Sequence, residues 1–407
     1  MTSETALTFE TERLPSLDIL RGVAVLGILV MNIQAFAMIG AAYENPSSYG
    51  DLEGANFAVW LVSRLLFNQK MMTIFALLFG AGVYLMSRNI VARGRRAGRI
   101  HARRMLVLLA MGLLHAYGLW HGDILVTYAL AGLALLPHCT IRPSRLCALA
   151  IVLLLGGAAL MWLACAASFH LSSWDAAYQE LFDNYWQPSP IHVAEEIAAF
   201  RSPWLGQLPL RAEYAIELQL DTIFIYGPRV LGLMLLGIAL TRWGFLTGAM
   251  SRGSYAYIGA LGLAGGVGLS ALAVGRCLDA DWDAQVVLLN ASPIEYWASL
   301  LASFGWIGAI LYGVKGPISF LVLRPFAAVG RMALTNYLLQ SVLCTTLFYG
   351  HGFALFGRVS RVEQALIVVA IAILQLGISN LWLRHFAQGP CERLWRALTY
   401  GNQRARA

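Results

Sequence analysis

Two histidines and one aspartate stand close together in an otherwise apolar stretch. His115 lies about ten residues into the apolar run 105–120, and Trp120-His121-Gly122-Asp123-Ile124-Leu125 follows at its exit. An imidazole among apolar side chains either satisfies a core hydrogen bond or moves a proton. A neighbouring carboxylate fixes the imidazole's tautomer and raises its basicity. Asp123 can do this for His115 or His121, or simply cap the next helix. A second group opens the first apolar run, Ser16-Leu17-Asp18-Ile19-Leu20-Arg21-Gly22. Asp18 and Arg21 are three apart and share a helix face, so they form a local ion pair or part of a site for an anion such as phosphate. Asn32 lies farther along the same run, toward its outer half. A third group is Gly330-Arg331-Met332-Ala333-Leu334-Thr335-Asn336-Tyr337-Leu338-Leu339-Gln340-Ser341. Arg331 starts that run, and Asn336 and Gln340 make a polar stripe that points into a bundle or glues helices together.

These groups could together hold a phosphate-bearing donor and move a proton. Arg21 and Arg331, with helix N-termini, would hold the phosphates of a donor. Asp18 and Asn336 belong to the same donor-binding set. His115 or His121 would act as general base, oriented by Asp123. Asn32 or Asn336 would donate a hydrogen bond to the developing oxyanion. A metal is not expected, because no third ligand has a suitable spacing. There is no GxSxG, HExxH, P-loop or nucleotide-fold GxGxxG.

The elements that must position these residues are membrane helices. Of 407 residues, 58% are hydrophobic and 13% charged, against about 25% charged in an ordinary soluble domain. Mean hydropathy is +0.64. Together these exclude a soluble enzyme, a disordered chain and a disulfide scaffold. The six cysteines show no CxxC spacing and are read as packing residues. A bilayer-spanning helix needs about 17–25 apolar residues. Ten runs qualify: 17–38, 71–87, 105–120, 124–138, 147–168, 222–240, 254–275, 293–314, 328–349 and 362–383. The expected fold is therefore all-α, a polytopic integral membrane bundle of about ten transmembrane helices.

Orientation follows from Lys and Arg placement. With the N-terminus inside, 19 of the 29 basic residues fall on the inside, seven outside, and Arg21, Arg229 and Arg331 within helices. That bias predicts both termini in the cytoplasm and multi-pass insertion in the plasma membrane, the inner membrane if the source is bacterial. The net charge of +7 is then loop arginine facing anionic lipid, and nucleic acid is excluded as a partner. The segment 1–16, with Glu4, Glu10 and Glu12 against Arg13, lacks a basic n-region and is read as a cytoplasmic segment rather than a signal peptide.

The bundle is expected over 17–383, followed by a cytoplasmic tail, 384–407. Phe57–Lys70 is read as interfacial or re-entrant, with Arg64 and Lys70 near the headgroups. Residues 169–221 are read as an outside cap over a substrate entrance, or as an interface-hugging connector. Gly262 and Gly266 predict close helix packing. Arg229, after Gly227-Pro228, implies a kinked helix.

The stretches "SLDILRGVAVLGILVMN", "HGDILVTYAL", "GRMALTNYLLQS" and "GPCERLWRALTYG" resemble the YeiB-like membrane proteins, domain-of-unknown-function family 418, over nearly the whole chain. The opening "LDxxRG" is also similar to that of transmembrane acyltransferases such as the acyltransferase type 3 proteins and heparan-α-glucosaminide N-acetyltransferase. That resemblance implies an acyl group, typically from acetyl-CoA on the cytoplasmic side, delivered to an acceptor on the far side. Arg21 matches the superfamily's first-helix arginine. The acyltransferase type 3 pattern places a histidine where this chain has Asn32, so the proton-handling role falls to His115 or His121. The expected donor is acetyl-CoA or another acyl-CoA. The expected partners are membrane lipids and a small-molecule or glycan acceptor, with homo-oligomerisation left open. The rival expectations are a transporter of a small anionic or lipid-linked molecule and a non-enzymatic membrane assembly protein.

Overall fold

Inside a bilayer the backbone has no water to hydrogen-bond, so helix is its natural conformation. The computed structural model describes residues 14–94 and 96–400, and it contains no strand among them. Most of the expected N-terminal segment 1–16, and the end of the tail 384–407, lie outside the described residues.

The helices are α1 (Pro15–Ala37), α2 (Ala41–Glu44), α3 (Gly54–Leu66), α4 (Lys70–Ala92), α5 (Ala97–Gly118) and α6 (Leu125–Leu135). Next come α7 (Pro143–Ser172), α8 (Ala176–Trp186), α9 (Pro190–Phe200), α10 (Leu208–Leu220), α11 (Gly227–Arg242) and α12 (Arg252–Asp279). The last are α13 (Ala284–Val286), α14 (Ser292–Val314), α15 (Pro317–Arg331), α16 (Ala333–Phe348), α17 (Arg361–His385) and α18 (Pro390–Tyr400). Starts are encoded locally. Pro15, Pro143 and Pro190 sit in first turns, where a missing N–H costs nothing. Ser360 and Glu363 form a reciprocal capping box at α17.

By length and composition, six described helical stretches can cross a membrane: Pro15–Ala37, Gly54–Ala92, Pro143–Ser172, Arg252–Asp279, Ala284–Val314 and Arg361–His385. A seventh is the pair Leu208–Ile225 and Gly227–Arg242, bent by 59°. The bend at Gly227-Pro228 is the kink the sequence implies. The chain is thus all-helical and consistent with a multi-pass membrane protein. Three of the ten expected runs fall on elements below that standard. The run 105–120 lies in α5, which begins with arginines; 124–138 covers α6, of 11 residues; and 328–349 is broken at Met332. The break separates α15, which contains Pro325, from α16.

Connections gather at two ends. At the Arg21 end, Ser16 Oγ donates to Thr247 O (3.3 Å), Arg242 reaches Ile141 O, and Trp395 Nε1 donates to Arg104 O (2.8 Å). At the other end, α8–α10 pack against the bundle as a helical cap. Arg201 Nε donates to Phe356 O (2.8 Å), Asn45 Nδ2 to Trp186 O (3.0 Å), and Gly350 N to Phe200 O (2.9 Å). Glu196 on α9 accepts from Gly40 N–H at 2.9 Å, tying the cap to the end of α1. Burial pushes this carboxyl up to about 7, against the opposing pull of its hydrogen bonds to Gly40 and Tyr214.

Small residues let helices touch backbone to backbone. α12 and α14 meet along Gly259, Gly262 and Gly266, as the Gly262–Gly266 spacing predicts. α1 and α15 cross where a Cβ on Gly22 would overlap Phe326 O and one on Gly330 would overlap Asp18 O.

Two outcomes follow from this packing. Gly330→Ala destabilises the detergent-solubilised protein by at least the roughly 1–3 kcal/mol of an overpacked core, whereas Gly268→Ala, which meets nothing within 4 Å inside α12, does not lower the thermal midpoint. For Glu196, the folded state binds the proton more tightly than the unfolded chain. Its stabilisation is present below about pH 4.5 and is lost as pH rises through about 7. A thermal melt series across that window therefore falls for the wild type and is flatter for Glu196→Gln.

Candidate active site

α5 and α16 bring the deciding groups together. His115 Nδ1 lies 2.6 Å from Asp123 Oδ2, and His115 Nε2 lies 2.8 Å from Ser341 Oγ. All three side chains are buried, with His115 at 3%, Asp123 at 2% and Ser341 at 1% exposure. A carboxylate only accepts, so Nδ1 donates to Asp123, and in the neutral imidazole that tautomer leaves Nε2 as the acceptor facing the Ser341 hydroxyl. Asp123 is held in turn. Its Oδ1 accepts from Val126 N–H at 2.8 Å, so the aspartate caps α6 and orients the histidine at once. Tyr337 braces the turn from α16. Its hydroxyl donates to Gly122 O (3.2 Å) and accepts from Ile124 N–H (3.3 Å).

The Asp123–His115–Ser341 chain has the hydrogen-bond order of a nucleophile, its base and the base's orienter. Of the two candidate bases, His115 is the one Asp123 holds. His121 points elsewhere, its ring among Trp120, Phe200 and Tyr214 at 5.3–5.9 Å between centroids. The buried atoms His121 Nδ1, Trp120 Nε1, Tyr349 Oη and Arg211 Nε have no hydrogen-bond partner there.

Toward the Arg21 end lies a cavity of about 210 Å³. Arg21, Arg104 and Arg331 line it together with Phe79, Leu108, Tyr128 and Leu334, and its inner wall includes Ile124 and Tyr337. Ile124 follows Asp123 directly, and Ser341 lies one helical turn beyond Tyr337 on α16. The cavity thus joins the expected donor arginines to the neighbourhood of the histidine. Arg21 pairs with Asp18 at 3.3 Å. Arg104, which the sequence reading did not single out, stacks on Trp395 with its guanidinium carbon 4.0 Å from the ring centroid. Arg331 Nη2 donates to Ala387 O at 3.1 Å.

Three expectations need correction. The N-terminus of α16 is not open to a phosphate. Glu392 Oε1 accepts from Leu334 N–H (2.7 Å) and Thr335 N–H (3.1 Å), placing a carboxylate of α18 on the helix end. Asn336 does not face the cavity. Its Nδ2 donates to Val329 O (3.2 Å) and Ser379 Oγ (2.9 Å), fastening α16 to α17. Asn32 neither lines the cavity nor joins the histidine chain; it sits half-buried on α1.

Lys70, expected near the headgroups, finds its partners inside the protein. It is fully buried, with Nζ 2.6 Å from Glu295 Oε1 and 3.0 Å from both Ser270 Oγ and Arg64 O. Arg229 belongs to the same cluster, with Nη2 on Ser299 Oγ (2.8 Å) and its guanidinium carbon 4.0 Å from the Tyr296 ring centroid.

Comparison with known proteins places the chain. Residues 240–402 match the family described as "Protein of unknown function (DUF418)". The chain is 36% identical to YeiB of Escherichia coli over 399 residues, covering 95% of this chain and 96% of that protein. It is 30% identical to YxaH of Bacillus subtilis over 414 residues, covering 97% and 96% respectively. A 39.9 kDa protein from the amylase 3' region of Bacillus acidopullulyticus is 27% identical over 399 residues, covering 96% of this chain and 95% of that protein. The chain belongs to the YeiB-like family.

The buried Lys70–Glu295 pair gives a direct check of this packing. Lys70→Met strands the Glu295 carboxylate and costs about 3–5 kcal/mol. The double variant Lys70→Met/Glu295→Gln recovers most of that loss in thermal or denaturant melts.

Proposed function

We propose that the protein is a membrane acyltransferase that takes an acyl group, most simply acetyl, from an acyl-CoA and passes it through Ser341 to a hydroxyl or amine. The observation that carries this reading is the Asp123–His115–Ser341 hydrogen-bond chain beside a cavity lined by three arginines. His115 Nε2 removes the Ser341 proton as Oγ attacks the thioester carbonyl. The carbon–sulfur bond breaks, the thiolate leaves with the proton from His115, and an acyl ester remains on Ser341. The acceptor's hydroxyl or amine then gives its proton to His115 and attacks the ester. Ser341 leaves and is reprotonated by His115.

Size divides the donor. Ligand sites run from about 300 to 1,000 Å³, and the cavity has about 210 Å³. It accommodates the thioester arm, with the nucleotide phosphates outside against Arg21, Arg104 and Arg331. Tyr337 and Ile124 line the cavity beside the residues that carry Ser341 and Asp123, and the thioester reaches the serine past them. The acceptor approaches from the opposite end, where Trp120, His121, Tyr349 and Arg211 hold buried polar atoms without partners.

In this reading the chain makes ten crossings of the plasma membrane, the inner membrane of a bacterium, with both termini in the cytoplasm. Two observations support that topology. The segments around Arg93–Arg104, Arg142–Arg145, Arg242–Arg252 and Arg384–Arg396 all gather at the Arg21 end. The cap gathers at the other.

The test is acyl transfer from labelled acetyl-CoA in proteoliposomes, run beside thermal stabilisation by CoA. Ser341→Ala and His115→Gln each lower transfer on the order of 10³-fold or more while keeping the CoA-induced shift. Arg21→Gln/Arg331→Gln loses the shift. Wild-type transfer by Ser341→Ala would remove the serine from the mechanism.

A further inference from the structure

At the end of α1 opposite Arg21, a groove of about 420 Å³ runs between α1, α3 and α17. Its walls are apolar, formed by side chains such as Ile33, Val59, Phe67 and Val368. It opens outward past Val62 and Val369, which are 51% and 55% exposed on the bundle surface. One part of the lining is different. Arg361 and Gln364, the first and fourth residues of α17, face the groove and are each 2% exposed.

Arg361 makes three good bonds: Nη1 to Gln34 Oε1 (3.0 Å), and Nη2 to Pro46 O (3.0 Å) and Tyr49 O (3.3 Å). All three acceptors are neutral. No carboxylate lies within ion-pair distance of Arg361 among the described residues. Asp51 acts on it only through its field, its oxygens being hydrogen-bonded to Asn56 and Glu53 N–H. Arg361 Nε has no partner. Gln364 Nε2 donates to Val359 O (3.1 Å), which fixes the amide and leaves Oε1 without a partner. A buried cation lacking a counter-charge, and a buried donor and acceptor both unsatisfied, thus border one apolar groove that is open to its surroundings. Arg229 and Arg211 also lack a carboxylate. Arg229 is satisfied by hydroxyls and the Tyr296 ring, and Arg211 lines no cavity described above.

We propose that this groove is a phospholipid-binding site in the leaflet opposite the Arg21 end. The phosphate accepts from Arg361 Nε, an acyl chain lies along the Ile33–Val368 wall, and a headgroup hydroxyl or amine donates to Gln364 Oε1. The groove's length of apolar wall ending in a cation is the complement of an amphiphile with an anionic head. The site is separate from Ser341 and does not depend on acyl transfer.

Native mass spectrometry of the purified full chain, with phosphatidylglycerol, diacylglycerol or inorganic phosphate added, tests it. The wild type retains one phosphatidylglycerol and binds diacylglycerol at least tenfold more weakly. Val369→Trp fills the open side of the groove without touching Arg361. It loses phosphatidylglycerol at least tenfold while its thermal midpoint in lipid-free detergent stays unchanged. Arg361→Gln removes the preference for phosphatidylglycerol over diacylglycerol. The proposal is overturned if Val369→Trp retains the lipid as the wild type does, or if diacylglycerol binds as tightly as phosphatidylglycerol. It is also overturned if inorganic phosphate alone displaces phosphatidylglycerol.

Discussion

An ionisable side chain inside an apolar bundle must find a partner there, and the partner it finds fixes what it can do. Asp123 shows this most clearly. Buried at the start of α6, it uses one oxygen to cap the helix and the other to hold His115. Holding Nδ1 turns the Nε2 lone pair toward Ser341 on α16, a residue 226 positions away in the chain. Without the carboxylate the imidazole would have no fixed tautomer, and its second nitrogen no fixed direction. The start of α6 and the His115–Ser341 link between α5 and α16 therefore both run through one side chain.

α16 separates glue from chemistry by helical position alone. Asn336 and Gln340, four apart, face α17 and α1. Gln340 Nε2 bonds Val25 O (3.2 Å) and Gln375 Oε1 (2.9 Å), and Gln375 in turn donates to Asn336 O (2.7 Å). Tyr337 and Ser341, also four apart, face the α5–α6 turn. One residue of offset, about 100° around the helix, assigns each pair to its task. Glu392 and Trp395 of α18 then lock the Arg21 end, one on the helix terminus and the other under Arg104. The "GPCERLW" stretch thereby acquires a structural role beside the arginine-lined cavity.

Much of this was legible in the sequence, and what was not has a common cause. Periodicity and apolar length gave the helices, and Gly262–Gly266 gave the close seam between α12 and α14. Asp18 with Arg21, the bend at Gly227-Pro228, and an orienting role for Asp123 followed from local spacing. Ser341 did not, because a serine in an apolar helix ordinarily back-bonds its own turn, as this one also does weakly to Tyr337 O (3.5 Å). The pairing of Lys70 is hidden in the same way, since its partner Glu295 lies 225 residues away and nothing local announces it. Asn336 misled because a buried amide looks alike whether it binds a ligand or a neighbouring helix. Glu392 hid because the helix end it caps belongs to another segment. Choosing between His115 and His121 likewise required the fold, since both precede Asp123 closely in the chain.

The claim on which the functional account stands is that Ser341 is activated by His115 rather than merely bonded to it. The most direct measurement is labelling of the purified protein with a serine-directed fluorophosphonate, located by peptide mass spectrometry. The account predicts a single covalent label on Ser341 in the wild type, and its disappearance in His115→Gln protein that keeps its thermal midpoint. Absence of label from Ser341, or labelling that persists without the histidine, would contradict it.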